Sequence, residues 1–275
     1  MSNNPYFHVR EALTQAGDEE RAEAGVLTLC MDTATDRRSV ALTRGETILA
    51  LRARGLRDAG ASSILRELDE VLREAGEGLR GVGLLAVCTG PGSFTGLRAG
   101  LATVKALSKT LGKPVVGVPT LHAIAFEARP ARRLYALLPA GRGEVFAQLL
   151  SAGVDGSVSE LTGPEHLPPS RLLEKACALG GGLKWAGGGA VKYLEQIAEA
   201  ASAAGLSFSS GSEGRVEPRD DEWMYAETPE ALAPAVAALA LAAYREGRTA
   251  AAEELRAIYV RPSDAELNEQ CHAQS

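Results

Sequence analysis

Three short segments of this chain, Val26–Met31, Val82–Cys88 and Val115–Val118, are apolar almost throughout. A strand with alternating residues can leave one face in water, whereas a strand with no polar face must be covered on both sides. Between these segments the period changes. Over Ala61–Ala75, Ile64, Leu65, Leu68, Val71 and Leu72 are expected on one helical stripe, and Gly76 can end the helix. Leu97–Leu111 is helical with Gly112 as its stop, and Pro119 opens a further helix to about Glu127. Ser39–Leu42 and Thr47–Arg54, joined across Arg44-Gly45-Glu46, extend the first strand into two hairpins. The order strand–strand–strand–helix–strand–helix–strand–helix makes a mixed sheet with helices on its faces, hence α/β.

That order recurs after the polar break Arg129-Pro-Ala-Arg-Arg133. Leu134–Pro139 and Val145–Leu150 are strands joined by Ala140–Glu144, and Ser157–Leu161 is a third. Helices Pro169–Leu179 and Val191–Ala201 flank a short strand, Leu183–Ala186, and the turn Gly187–Gly189. Gly205–Glu222 has little pattern and is expected to be a surface connection. Pro229–Arg245 is an Ala-rich helix, and Ala257–Glu266 a strand followed by a turn. The repeat is one of topology, not of sequence. It divides the chain into an extension (1–25), a first lobe (26–130), a second lobe (131–266) and a tail (267–275), with helix 229–245 a candidate to pack back on the first lobe.

Composition limits the function classes. Of 275 residues, 45% are hydrophobic and 23% charged, enough for a core and against bulk disorder. A net charge of −6 argues against a stand-alone nucleic-acid binder. The four cysteines form no CxxC pair, and Cys30, Cys88 and Cys177 sit in apolar stretches expected to be buried, as suits a reducing cytoplasm. No apolar run reaches the roughly 18 residues that span a bilayer; Ala231–Tyr244 comes nearest and is interrupted by Pro234. The first 25 residues lack the order of a signal peptide. His8, His122, His166 and His272 are scattered, with no HExxH pair, so no metal site is expected.

The sharpest motif is Gly90-Pro-Gly-Ser-Phe-Thr-Gly-Leu-Arg98, between a buried strand and a helix. Gly90 and Gly92 allow close backbone approach, and helix-terminal amides favour anions, so the loop can face a phosphate. It can equally be a strand–helix turn capped by Ser93 or Thr95. It is neither a Walker loop nor GxGxxG. Asp32-Thr33-Ala34-Thr35, directly after the first strand, can orient Mg²⁺ and phosphate, or close an Asx turn. Gly96 and Gly100, one helical turn apart, allow another helix to approach, and the face continues through Val104, Lys105 and Ser108. With the stripe of Leu65, Leu68 and Leu72 it forms a candidate dimer surface; packing within one chain is the alternative. Ser93 lacks the nucleophile elbow, and Arg142 and Glu144 are either polar site residues or a hairpin ion pair. Arg261 has the same ambiguity.

Leu29–Thr35, Gly90–Gly100, Pro114–Val118, Gly143–Phe146 and Tyr259–Glu266 together resemble the bacterial TsaB (YeaZ) family, in its order and across residues 26–266. The resemblance implies an actin-like, Hsp70-like, sugar-kinase-like (ASKHA) fold of two α/β lobes. It implies a non-catalytic subunit in making N6-threonylcarbamoyladenosine next to the anticodon of ANN-decoding tRNAs. The implied partners are a TsaD-like paralogue, which carries the transferase site, and a small TsaE-like ATPase. The resemblance further implies a homodimer when the chain is alone, tRNA met only through the complex, and no membrane. It also implies that ATP is used by the complex and that no cofactor is tightly bound to this subunit. Two departures concern Arg57–Ser63, where the family often has a His-Ser/Thr-Glu-like stretch, and Pro139-Ala-Gly-Arg142, where it often has Asp-Ala-Arg. Both favour a scaffold with a vestigial nucleotide loop (Asp32, Thr33, Gly90, Gly92, Ser93). The rival is an ATP-binding kinase or ATPase of the same fold; a metalloprotease is a second.

Overall fold

The computed structural model describes residues 25–55, 63–211 and 216–260. The N-terminal extension to residue 24, positions 57–62 of the departure noted above, and the segment from Arg261 on, with His272 and Cys271, lie outside the described residues.

Two sheets are built on the same plan. In the first, β1 (Leu27–Asp32), β2 (Arg37–Arg44) and β3 (Thr47–Gly55) form antiparallel hairpins, and β4 (Leu84–Gly90) and β5 (Val115–Pro119) add in parallel, giving the order β3-β2-β1-β4-β5. In the second, β6 (Ala131–Gly141), β7 (Glu144–Ala152) and β8 (Val158–Glu160) are antiparallel. A short β9 (Glu165–Leu167) also pairs β7, while β10 (Leu183–Ala186), β12 (Glu222–Ala226) and β11 (Ser207–Gly211) follow in parallel. The order β8-β7-β6-β10-β12 repeats the first sheet, with β11 added at the edge. The two lobes are thus a duplication of one α/β plan.

The apolar strands are covered on both faces, as their composition requires. Leu29, Met31, Leu85 and Val87 point to one side of the first sheet, where α1 (Ser63–Glu74) and α2 (Phe94–Leu111) pack through Leu68, Val71, Leu101 and Val104. Cys30, Leu84, Ala86 and Cys88 point to the other side, onto α3 (Thr120–Glu127) and α7 (Ala233–Arg245). The same cluster continues into Leu134, Ala136, Leu138 and Ala186 of the second sheet, so α3 and α7 form a layer between two sheets. Beyond the second sheet, α4 (Pro169–Leu179), α5 (Gly188–Lys192) and α6 (Leu194–Ala203) cover Trp185 and Trp223. A small-residue helix such as α7 suits this position, because alanines let two sheets approach one helix layer.

Several expectations need correction. Gly205–Glu222 holds the edge strand β11, whose Ser-rich sequence hides its β character. The helix expected over Pro229–Arg245 begins only at Ala233, and Val191–Ala201 is two helices divided at Tyr193. Ala257–Val260 is not a strand, although Ile258 N–H donates to Thr89 O at 2.7 Å. Cys177 is exposed on α4 rather than buried, because Leu172 and Ala176 take that helix's inner positions. No described helix is long and apolar enough to cross a membrane.

Candidate functional site

The loops after β1 and β4 meet at the floor of a cleft of about 740 Å³ between the sheets. Asp32 does not face it. The residue is fully buried, Oδ1 accepts from Ala34 N–H at 2.8 Å, and Oδ2 accepts from the Thr35 hydroxyl at 2.5 Å. Burial raises its pKa; the Thr35 hydroxyl, the Ala34 amide and the Cys88 thiol work against that rise. The carboxylate closes an Asx turn and is absent from the cleft lining.

The glycine loop is packed onto that turn. Ser93 N–H donates to Ala34 O at 2.7 Å, and Ser93 Oγ caps α2 by accepting from Gly96 N–H at 3.3 Å. Leu97 N–H donates to Ser93 O. Three of the loop and first-turn amides, those of Ser93, Gly96 and Leu97, are therefore engaged within the chain. A Cβ on Gly92 would lie 2.3 Å from Ala34 O, which explains this glycine by the approach of two loops. Gly90 ends β4 below, where a Cβ would lie 2.9 Å from Ile258 O.

The cleft is lined largely by apolar groups: Leu97, Ile124, Leu138, Phe146, Leu232 and Ile258. Its charged lining residues are Asp36, Arg37 and Glu230, and Arg37 pairs with Glu230. At the rim, Phe94 packs on Tyr259 with ring centroids 5.5 Å apart, and the Arg98 guanidinium lies 3.9 Å from the Phe94 ring centre. Glu144, considered with Arg142 as a hairpin pair, faces His166 Nε2 at 2.9 Å. His122 sits 3.0 Å from Glu160, its pKa lowered by burial against the pull of that carboxylate. Among the described residues, no group of three or more His, Cys, Asp or Glu could hold a metal ion.

The candidate dimer surface is redrawn. Leu68, Leu72 and Val104 are buried in the chain's own core, and Ser108 is buried with its hydroxyl donating to Lys113 O at 2.7 Å. Gly96 and Gly100 face inward: a Cβ on Gly96 would lie 1.8 Å from Thr33 O, and one on Gly100 2.3 Å from Thr33 Oγ1. The glycine spacing admits Thr33, which is 1% exposed, rather than a second helix. Leu65, on the same helical spacing as Leu68 and Leu72, is nevertheless 63% exposed at the edge of the α1 stripe, and Lys105 of α2 is half-buried. Phe94 and Arg98, which lie within the Gly90–Arg98 motif, and Lys109 join these exposed positions. Spacing could have found Arg98 and Lys109, which fall off the stripe of Leu97, Leu101, Val104 and Ser108, but not Phe94, which continues that stripe one turn before Leu97 and is exposed only because it sits at the helix start.

A family model described as "TsaD: tRNA N6-adenosine threonylcarbamoyltransferase" matches residues 58–213, more than half of the chain. The chain is 37% identical over 141 residues to "tRNA threonylcarbamoyladenosine biosynthesis protein TsaB" of Haemophilus influenzae, a stretch covering 48% of this chain and 57% of that protein. It is 35% identical over 121 residues to the protein of the same name from Escherichia coli, covering 43% and 52%. The matched part thus spans about half the length of these curated relatives. The structure of YeaZ from Pseudomonas aeruginosa superposes with a TM-score of 0.63 at 23% identity, over 85% of this chain and 99% of that one, which establishes the shared fold.

Proposed function

The chain belongs to the TsaB (YeaZ) family, and from that premise we propose that it is a non-catalytic partner subunit in forming N6-threonylcarbamoyladenosine on tRNA. The engaged state of the β1–β2 turn and the glycine loop carries this reading. Asp32 is committed to an Asx turn, and the loop amides of Ser93, Gly96 and Leu97 donate within the chain. A nucleotide-hydrolysing member of such a fold needs those groups free to meet phosphate and metal. The transferase centre then belongs to a TsaD-like partner, and a TsaE-like ATPase uses the ATP. The adenosine modified is the one next to the anticodon of ANN-decoding tRNAs, and the setting is the cytoplasm.

The partner docks on the outer face of α1 and α2, through Leu65, Lys105 and the exposed positions around them. Leu68, Leu72, Gly96, Gly100, Val104 and Ser108 support that face from inside. The cleft holds no tightly bound nucleotide in this reading.

Reconstitution tests it. Modification of a transcribed ANN-decoding tRNA is followed with TsaD-like, TsaE-like and synthase proteins, with and without this chain. Omission abolishes modification if the reading is right. Full modification without the chain, or Mg-ATP turnover by the chain alone that disappears in D32A, would contradict it.

A further inference from the structure

A second groove, of about 1010 Å³, is bounded by the β2–β3 turn, β5, the helices α3 and α7, and the turn after β7. It shares no lining residue with the interlobe cleft. Ile48 and Val154 in its lining are 49% and 80% exposed, and Leu239 is half-buried. The charged groups around it answer one another: Arg245 pairs with Glu46, Arg248 with Glu246, and His122 with Glu160. What the groove leaves unmatched is apolar surface, and an apolar concavity rimmed by polar groups marks a contact site.

The chain enters the fold beside this groove. A Cβ on Gly25 would lie 3.1 Å from Gly45 Cα, and Gly45 N–H donates to Val26 O at 3.0 Å. Gly45 is itself part of the lining. The 24 residues ahead of Gly25 are therefore tethered at the groove's edge. Their sequence suits it. Tyr6, Val9, Leu13 and Ala16 recur at the spacing of one helical face, Asn4-Pro5 is a helix-start pair, and Gly17 is a stop. A helix over 5–16 would be about 18 Å long. The stretch from Gly17 to Ala24 spans up to about 27 Å, enough to lay that face over the groove. It carries Asp18, Glu19, Glu20, Arg21 and Glu23, charges that suit a solvated tether.

We infer that residues 5–16 dock as an amphipathic helix in this groove of their own chain, with Tyr6, Val9 and Leu13 against Ile48, Val154 and Leu239. The lining draws on the first lobe through the β2–β3 turn and β5, and on the second through the β7–β8 turn. The docked helix therefore staples the two lobes outside the cleft. A second copy could offer the same helix, but a tether that starts at the groove gives the chain's own segment the higher effective concentration. The inference stands apart from the reading of the chain as a partner subunit.

The test uses the full chain. With Tyr6→p-benzoylphenylalanine, illumination should crosslink position 6, within one chain, to peptides holding Ile48, Val154 or Leu239. I48D/V154D and V9D/L13D should each lower the yield by about fivefold or more, and the two pairs combined should add little, since they break one contact. In hydrogen exchange, V9D/L13D should speed exchange at 47–49 and 153–158 by roughly tenfold. No crosslink to the groove, or an unchanged yield in the variants, would overturn the inference. So would crosslinks between chains that grow with concentration, which would give the groove to a second copy. Ile48 and Val154 are exposed, so their substitution should leave the chain folded, as unfolding curves check. Should it not, V9D/L13D alone decides, and an unchanged yield overturns the inference equally.

Discussion

The interlobe cleft and the outer face of α1 and α2 treat their polar groups in opposite ways. Around the cleft floor, the Asp32 carboxylate and the amides of Ser93, Gly96 and Leu97 are used inside the chain, and Arg37 is matched by Glu230. Along one flank of α2, Arg98, Lys105 and Lys109 have no carboxylate partner among the described residues. A group already hydrogen-bonded within the fold has little left to offer a ligand, whereas exposed charges without counter-charges are free to be matched by one. Function is therefore assigned to the outer face, although the most distinctive sequence motif sits at the cleft.

The largest expected effect comes from the seam beneath both regions. Gly96→Ala places a Cβ against Thr33 O, a backbone atom that cannot step aside, and should destabilise the protein by about 3 kcal/mol or more in chemical denaturation. A near-neutral result would mean that the seam opens easily and that the glycine spacing serves something other than Thr33. Next in size, D32A leaves the Ala34 amide without its acceptor and should cost about 1–3 kcal/mol. A weaker effect is pH-dependent. Because burial raises the Asp32 pKa, the folded state holds that proton more tightly than the unfolded state does. Its contribution is fully present below the ordinary aspartate pKa of 3.8 and is lost as pH rises through the raised folded value. The stability of the wild type relative to D32N should therefore rise as pH falls through that window, and a flat difference would show the carboxylate to be solvated. Smallest on stability is L65E/K105E, which should shift unfolding by less than about 0.5 kcal/mol while changing pairing. A large loss of stability would mean that the face is structural.

Much of the fold was legible in the sequence. The apolar runs of β1, β4 and β5 could be satisfied only by cover on both faces, and the second lobe repeated the same order. β11 was hidden because an edge strand need not be apolar, and its serines look like a connection. The site was less legible. Gly96 and Gly100 have one spacing whether a partner helix or Thr33 fills the gap, and only the three-dimensional approach of the β1–β2 turn decides between them. Leu65 shares the i, i+3, i+7 spacing of Leu68 and Leu72, so its position on the exposed edge of that stripe is not legible in the sequence.

The most direct measurement is tRNA modification by the reconstituted system, with D32N and L65E/K105E compared in place of the wild-type chain. The account predicts near wild-type modification with D32N and a strong loss with L65E/K105E. Loss of modification with D32N in a folded chain, with full activity in L65E/K105E, would contradict it and return the function to the cleft.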